Sequence, residues 1–332
     1  MSKPLLEVKN LTQQFRLTKG LWQELRLEDK KFVRRPRYVH AVNDVSFSVG
    51  KGEVFSIVGE SGCGKSSTAR TIIKLIEPYS GQIVYDGDDI TRHDEKRMLP
   101  YRRRLQMIFQ NPYASLNPRY SIRRILTEPM LFHGLAASPK QASEKALALL
   151  DKVGLRAEQV DRFPHQFSGG QRQRISIARA LALSPEFVIA DEPVSALDVS
   201  IQAQILNLLM DLREEYNLSY LFIAHDLAVV KHISDRVAVM YLGKIVEVGA
   251  KRSVFAAPLH PYTKGLFDSV PQLGGARLHN VALSGDVPAT PTELPAGCFF
   301  RARCPYAKAL CRDEEPVMKQ CGGDHYAACH LL

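Results

Sequence analysis

Apolar and polar residues alternate with two different periods along this chain, and the switches between those periods mark its elements. Near the start, "LEVKNLT" (6–12) alternates like an edge strand, and "DVSFSV" (44–49) predicts another strand. "EVFSIVG" (53–59) is a continuous apolar run, the pattern of a strand buried on both faces. It runs into a glycine-rich loop and a helix expected over 65–76. "GQIVYDG" (81–87) and "LQMIFQ" (105–110) predict two more strands. Residues 112–165 then lack strand signals. Within them, 138–155 opens with Ser138 and Pro139 and closes at Gly154, the start and stop pattern of a helix. Leu147, Leu150 and Val153 give that helix an apolar stripe.

Strand and helix alternate again through "FVIAD" (187–191), a helix at about 199–216 and "YLFIAHD" (220–226). "RVAVMYLGKIVEVG" (236–249) predicts a hairpin turning at Gly243. Buried strands alternating with helices imply an α/β fold, a parallel sheet with helices on its faces. The strandless region 112–165 reads as a helical subdomain inserted into that core. A basic stretch at 17–39 reads as a loop or insertion. From about 255 prolines, glycines and cysteines accumulate and long periodic segments stop. The expected organisation is a domain over 1–254 and a C-terminal extension over 255–332.

Composition narrows the class. With 332 residues, 45% hydrophobic and 24% charged, the chain is ordinary for a globular protein. No apolar run approaches the ~20 residues that span a bilayer. "MSKPLLEVKN" lacks the apolar core of a signal peptide, so a cytosolic location is expected. The net charge of +9 is concentrated at "KKFVRRPR" (30–37) and "YRRR" (101–104). A basic surplus suits nucleic acid, an anionic membrane face or an acidic partner. No recognition helix, RNA-binding signature or zinc finger accompanies it, so no nucleic acid is expected as a partner.

Two glycine-rich turns carry the chemistry. "GESGCGKSS" (59–67) follows a strand, precedes a helix and matches G-x-x-x-x-G-K-[ST]. The loop Gly59, Glu60, Ser61, Gly62, Cys63, Gly64, Lys65, Ser66 and Ser67 would surround phosphates with inward N–H groups. The helix N-terminus adds its positive end. Lys65 would reach the β- and γ-phosphates, and Ser66 would ligate Mg²⁺. "FVIADEP" (187–193) ends a buried strand in Asp191 and Glu192. Asp191 suits holding Mg²⁺ through water, and Glu192 suits a general base for the attacking water. Gln110 and His225 also follow core strands, at the same edge. The second turn, "QFSGGQRQR" (166–174), places Ser168, Gly169, Gly170 and Gln171 at a helix start, a second anion site. It either folds onto its own phosphate loop or serves that of another subunit.

With "FSGGQRQR" and "SALD" (195–198) in view, the sequence resembles the ATP-binding-cassette ATPases. The resemblance covers 5–250. It implies a P-loop α/β fold with a mixed sheet core, an antiparallel β edge and an inserted helical subdomain. It also implies head-to-tail dimers in which Ser168–Gln171 complete the partner's ATP site. Gln110 would sense Mg²⁺ and the membrane subunit, Asp191 would assist the metal, Glu192 would be the catalytic base, and His225 would contact the γ-phosphate. Adenine would stack on Phe15, with Tyr38 as a rival. "IFQNPYASLNPR" (108–119), "ADEPVSALDVSIQAQILNLL" (190–209), "HPYTKGL" (260–266) and the tail "GCFFRARC…C…AACH" resemble the dipeptide/oligopeptide-permease branch. That implies an ATPase bound to the cytoplasmic face of a bacterial inner membrane. It would work with a second, homologous ATPase subunit, two membrane permease subunits and, indirectly, an extracytoplasmic binding protein. Nickel, opines and sugars stay open beside peptides as cargo. So, with small weight, does a cassette without a transport role. An ordinary P-loop kinase or GTPase would leave the second turn without a use.

Five of the six cysteines fall between 298 and 329, and Cys63 stands apart. Cys298, Cys304 and Cys311 are spaced C-x₅-C-x₆-C, and Cys329 follows. The expected compartment is reducing, which argues against disulfides. The C-x₂₋₄-C pair usual in zinc sites is missing. Buried structural thiols, zinc and an iron–sulfur cluster remain open on spacing. The permease resemblance adds weight to a [4Fe–4S] cluster on Cys298, Cys304, Cys311 and Cys329, with Cys321 outside it. The cluster would pin an extension too short and polar to build a core.

Overall fold

The structure is a computed structural model that describes residues 3–17, 25–28, 31–34, 37–269 and 291–332, with side chains left undescribed over 18–36. A large mixed sheet forms the centre, in the order β13-β14-β12-β11-β5-β10-β9-β8. Its parallel part comprises β5 (Val54–Val58), β8 (Leu105–Ile108), β9 (Phe187–Asp191), β10 (Ser219–Ala224) and β11 (Arg236–Tyr241). The alternation of side chains fills both faces. Val54, Val58, Val188, Ala190, Phe222, Val237 and Val239 belong to one core cluster. Phe55, Ile57, Phe187, Ile189, Leu221, Ile223 and Ala238 belong to the other. Burial on both faces is why these strands read as continuous apolar runs.

The second cluster lies under an antiparallel sheet of β1 (Leu6–Arg16), β4 (Tyr38–Val49), β6 (Ser80–Tyr85) and β7 (Asp88–Asp89). Helix α1 (Lys65–Ile72) follows the glycine-rich loop 59–67 and ends short of the 65–76 expected. After α2 (Glu95–Arg104) and β8 come α3 (Pro112–Ser115), α4 (Ile122–Phe132) and α5 (Pro139–Lys152). These are the expected inserted helices. In α5, Ser138 caps the Gln141 N–H at 3.3 Å, and Leu150 and Val153 are buried. Helix α6 (Gly169–Leu181) precedes β9, α7 (Val199–Tyr216) precedes β10, and α8 (Leu227–Ile233) precedes β11. The predicted hairpin is β11 with β12 (Lys244–Ala250), and Gly243 at its turn has φ +83°.

Two readings change. The stretch 17–39, expected as a loop or insertion, contains a ribbon of β2 (Leu25–Glu28) and β3 (Lys31–Arg34), with Leu25 opposite Arg34. "LRLE" and "KFVR" alternate with period two, but their charge masks the strand signal. The extension, expected to lack a core, shares the core of the domain before it. After α9 (Lys251–Ala256), helix α10 (Pro261–Asp268) buries Tyr262, Leu266 and Phe267 in the first cluster, together with Phe299 and Phe300. Beyond α11 (Leu310–Asp313), β13 (Lys319–Gln320) and β14 (His325–Ala327) add to the edge of β12, with Val248 opposite Tyr326.

Candidate nucleotide site

The parallel register sets the site. Ala224 pairs with Val58, Ile223 with Asp191 and Ile108 with Ala190. Four strands therefore end together, and the residues just beyond them meet at one edge: Gly59, Gln110, Glu192 and His225. That is the ligand crevice of an open α/β sheet. A cleft of about 370 Å³ opens there, lined by Ser61, Gly62, Gly64, Lys65, Ser66, Ser67, Gln110, Glu192 and Phe15, with Val39 and Ala41. Gly59, Glu60 and Cys63 of the same loop do not line it. Tyr38, the rival to Phe15, does not line it either. Gly64 has φ +106°, and a Cβ there would lie 2.1 Å from the Ala41 carbonyl oxygen, so no other residue fits.

Lys65 is buried, and its Nζ donates to the Gly59 and Glu60 carbonyls at 2.8 and 2.9 Å. Ser66 Oγ donates to Asp191 Oδ1 at 2.7 Å. Asp191 is fully buried, its Oδ2 has no hydrogen-bond partner, and the Arg70 guanidinium is 4.0 Å away. Burial raises the Asp191 carboxyl above the usual range, against the hydrogen bond from Ser66 and the charge of Arg70. An orphaned, buried carboxylate oxygen beside a phosphate-loop serine is what a hydrated divalent cation satisfies, so the residues fit Mg²⁺.

Glu192 has a left-handed backbone, φ +44°, which costs a non-glycine residue about 1–2 kcal/mol. The turn is held by its N–H donating to Ile223 O at 3.0 Å and by Ser195 Oγ donating to its carbonyl at 3.1 Å. The Glu192 carboxylate accepts Gln110 Nε2 at 2.8 Å and lies 3.3 Å from His225 Nδ1. Gln110 and His225, weak signals singly, thus converge on one carboxylate.

The second turn is elsewhere. Ser168 Oγ accepts the Gln171 N–H at 3.3 Å, and Gln171 Oε1 accepts the Ser168 N–H at 3.0 Å, a reciprocal cap. A Cβ on Gly170 would lie 2.7 Å from Ile201 Cγ2, so the helix start packs tightly on α7. None of Ser168, Gly169, Gly170 or Gln171 lines the cleft that contains Lys65.

Comparison with known proteins agrees with this architecture. Residues 42–195 match the ABC transporter family model, and 246–311 match the oligopeptide/dipeptide transporter C-terminal region. The oligopeptide transport ATP-binding protein AppF of Bacillus subtilis is 49% identical over 98% of this chain and 97% of its own length. The chain belongs to the ABC transporter ATP-binding family. The dipeptide transport ATP-binding protein DppF of Escherichia coli is 46% identical over 97% of this chain and 93% of its own. Among solved structures, a dimeric ATP-binding cassette in a post-hydrolysis state with ADP and Pi superposes with a TM-score of 0.64. It is 27% identical and covers 74% of this chain and 99% of its own. The chain is thus an ATPase of the cassette type.

The cysteine tail differs from expectation. Among the described residues no group of three or more His, Cys, Asp or Glu side chains forms a set that could hold a metal ion. The iron–sulfur or zinc site expected at Cys298, Cys304, Cys311 and Cys329 is therefore not formed as a ligand set. The four thiols are nonetheless electrostatic neighbours: burial, and then Cys311, Cys329 and Cys304, push Cys298 up to about 11. Cys321 is exposed and stands outside that group. The need for a cluster is also smaller than expected, because Cys298, Cys311 and their aromatic neighbours already pack into the main core.

Sequence reasoning missed two residues that reach the loop from the extension, Tyr262 and Arg303. Both lie in stretches quoted for their resemblance, "HPYTKGL" and "GCFFRARC", but no local spacing assigns them a task.

Proposed function

We propose that the chain is the energy-coupling ATPase of a peptide importer, and that Glu192 is its catalytic base. The convergence of Gln110 and His225 on the Glu192 carboxylate, at the rim of the Lys65 cleft, carries this assignment. In this reading the adenine lies on Phe15 and the phosphates lie over Ser61–Ser67. Lys65 leaves its two carbonyl partners for the β- and γ-phosphates. Bound Mg²⁺ would supply charge neutralisation between those phosphates, held by Ser66 and Gln110 and, through water, by Asp191. Glu192 orients the attacking water and takes its proton, while His225 contacts the γ-phosphate. Ser168–Gln171 complete the site of a second ATPase subunit. The absence of these four residues from the Lys65 cleft supports that arrangement. No described helix is long and apolar enough to cross a membrane, so separate permease subunits would carry the cargo. The match of 246–311 to the oligopeptide/dipeptide region favours peptides over nickel, opines or sugars. An extracytoplasmic binding protein would then choose the peptide.

Glu192→Gln keeps the shape and removes the base. In the assembled transporter, ATP binding should survive while turnover falls by about 10²–10⁴-fold. Near-normal turnover would refute the assignment.

For the tail we propose a thiolate metal site on Cys298, Cys304, Cys311 and Cys329, with a [4Fe–4S] cluster as first occupant and zinc as the alternative. The burial of Cys298, Cys311 and Cys329, with Cys321 exposed, supports it. The missing ligand set counts against it. Anaerobic purification and metal analysis should find iron that each of the four Cys→Ser variants loses and Cys321→Ser keeps. A chain free of both iron and zinc would end the proposal.

A further inference from the structure

Two side chains of the extension grip the phosphate loop at a single residue. The Glu60 carboxylate accepts both arms of Arg303, Nη1 to Oε2 at 2.8 Å and Nη2 to Oε1 at 3.0 Å. Its N–H donates to Tyr262 Oη at 3.0 Å. Its carbonyl accepts Lys65 Nζ at 2.9 Å. Every one of these polar groups is thus committed, two towards the extension and one towards the loop's own lysine. The ion pair is enclosed: the Arg303 side chain is 6% exposed and that of Glu60 17%. A paired fork in such surroundings fixes direction as well as charge, unlike a pair in open solvent.

The grip is itself held. Tyr262 is fully buried, with its ring 4.7 Å from that of Tyr241 and 5.5 Å from that of Phe300. The Arg303 guanidinium lies 5.9 Å over the Tyr241 ring. The Tyr262 N–H donates to His260 Nδ1 at 3.0 Å. Glu247, buried in β12, accepts the Leu259 and His260 N–H groups at 2.9 and 2.8 Å and meets His325 Nε2 at 2.8 Å. A continuous polar path therefore runs from the hairpin, through the first turn of α10, to the loop. It has a geometric consequence. A phosphate loop works by turning its N–H groups inward, and the Glu60 N–H is diverted outward to Tyr262. Which amides face the phosphates, and where the carbonyl under Lys65 lies, are set from the extension.

We propose that Tyr262 and Arg303 are positioning residues of the phosphate loop, through which the C-terminal extension sets the nucleotide affinity of the ATPase. This rests on the assignment of 59–67 as that loop. The role belongs to binding and not to the chemical step, because neither side chain lines the cleft or touches Glu192.

The test uses the full chain for binding of MgADP by calorimetry, and the assembled transporter for ATPase kinetics. Tyr262→Phe removes one oxygen and keeps the ring. Arg303→Gln removes the charge. Each should raise the Kd for MgADP and the KM for ATP by about tenfold, the worth of one hydrogen bond to a constrained group, while kcat stays within about twofold. Arg303→Lys should recover part of the loss. Glu60→Gln and Arg303→Gln should not add: the double variant should be no worse than the poorer single one. Unchanged Kd and KM in Tyr262→Phe, shown to be folded by its melting curve, would overturn the proposal, even if Arg303→Gln did not fold. So would strict additivity of the Glu60 and Arg303 changes. Lys65→Ala separates the underlying assignment: if that variant binds MgADP normally, the loop reading has failed, and not the grip alone.

Discussion

His260 is almost wholly buried, and its Nδ1 accepts the N–H of Tyr262 at 3.0 Å. A ring used as an acceptor must be neutral. Burial, helped by the charge of Lys264, pushes its pKa down to about 3 from an ordinary value near 6.5. The unfolded chain takes up this proton below about 6.5, and the folded chain refuses it until about 3. Stability from this residue is therefore full above pH 6.5 and declines as the pH falls towards 3, at up to ~1.4 kcal/mol per pH unit. His260→Asn supplies an amide oxygen to the same N–H without titrating. Urea unfolding at pH 7 and pH 5 should show a smaller loss in that variant than in the parent, and equal losses would refute the argument. At this scale the sequence was readable where a residue follows a strand. Gln110, Glu192 and His225 each do, Asp191 closes its strand, and the register delivers all four to one edge. Tyr262 and Arg303 were not readable, because their partner Glu60 lies about two hundred residues away in the chain.

Helix α6 begins with a cap that serves two ends. In the isolated chain the Ser168–Gln171 pair satisfies two N–H groups at the helix start. In a head-to-tail dimer the same donors would face a phosphate. Ser168→Ala removes the hydroxyl acceptor and should cost about 1 kcal/mol, a melting shift of about 1–2 °C for a chain of this size. ATPase activity of the assembled pair should fall much further than so small a loss of folded protein explains. The damage should fall on the site whose lysine belongs to the other subunit. A fall in activity no larger than the loss of stability would leave Ser168 a cap and nothing more. Elements with one strong period were legible: α5 with its serine cap, the hairpin turning at Gly243, and α7 over 199–216. The β2–β3 ribbon was hidden by charge, and β13 and β14 by their length of two and three residues. Such short strands exist only because the edge of β12 offers β14 a partner and β14 in turn offers one to β13.

Over the whole molecule, the two glycine-rich turns lie on separate elements, which accords with the proposal that a second subunit completes the site, and a dimeric cassette is among the solved structures similar to this chain. The sequence by itself determined the buried strands, the glycine-rich loop 59–67, the acidic strand end and the second turn. Each is local: a run of apolar residues or a fixed spacing within one loop records a single element's surroundings. It also recorded the change of texture near 255, because composition is additive along a chain. The tertiary structure alone decided how the extension is used. The extension was expected to need a metal to hold it, yet Phe299, Phe300 and Tyr262 enter the shared core, and β14 lengthens the central sheet. The structure also decided that Glu192 meets Gln110 and His225, and that Glu60 meets Arg303 and Tyr262. Those meetings join residues from about thirty to more than two hundred positions apart. Pairing between distant segments follows from sheet register and from which faces are left to bury, and neither is written in any local stretch of residues.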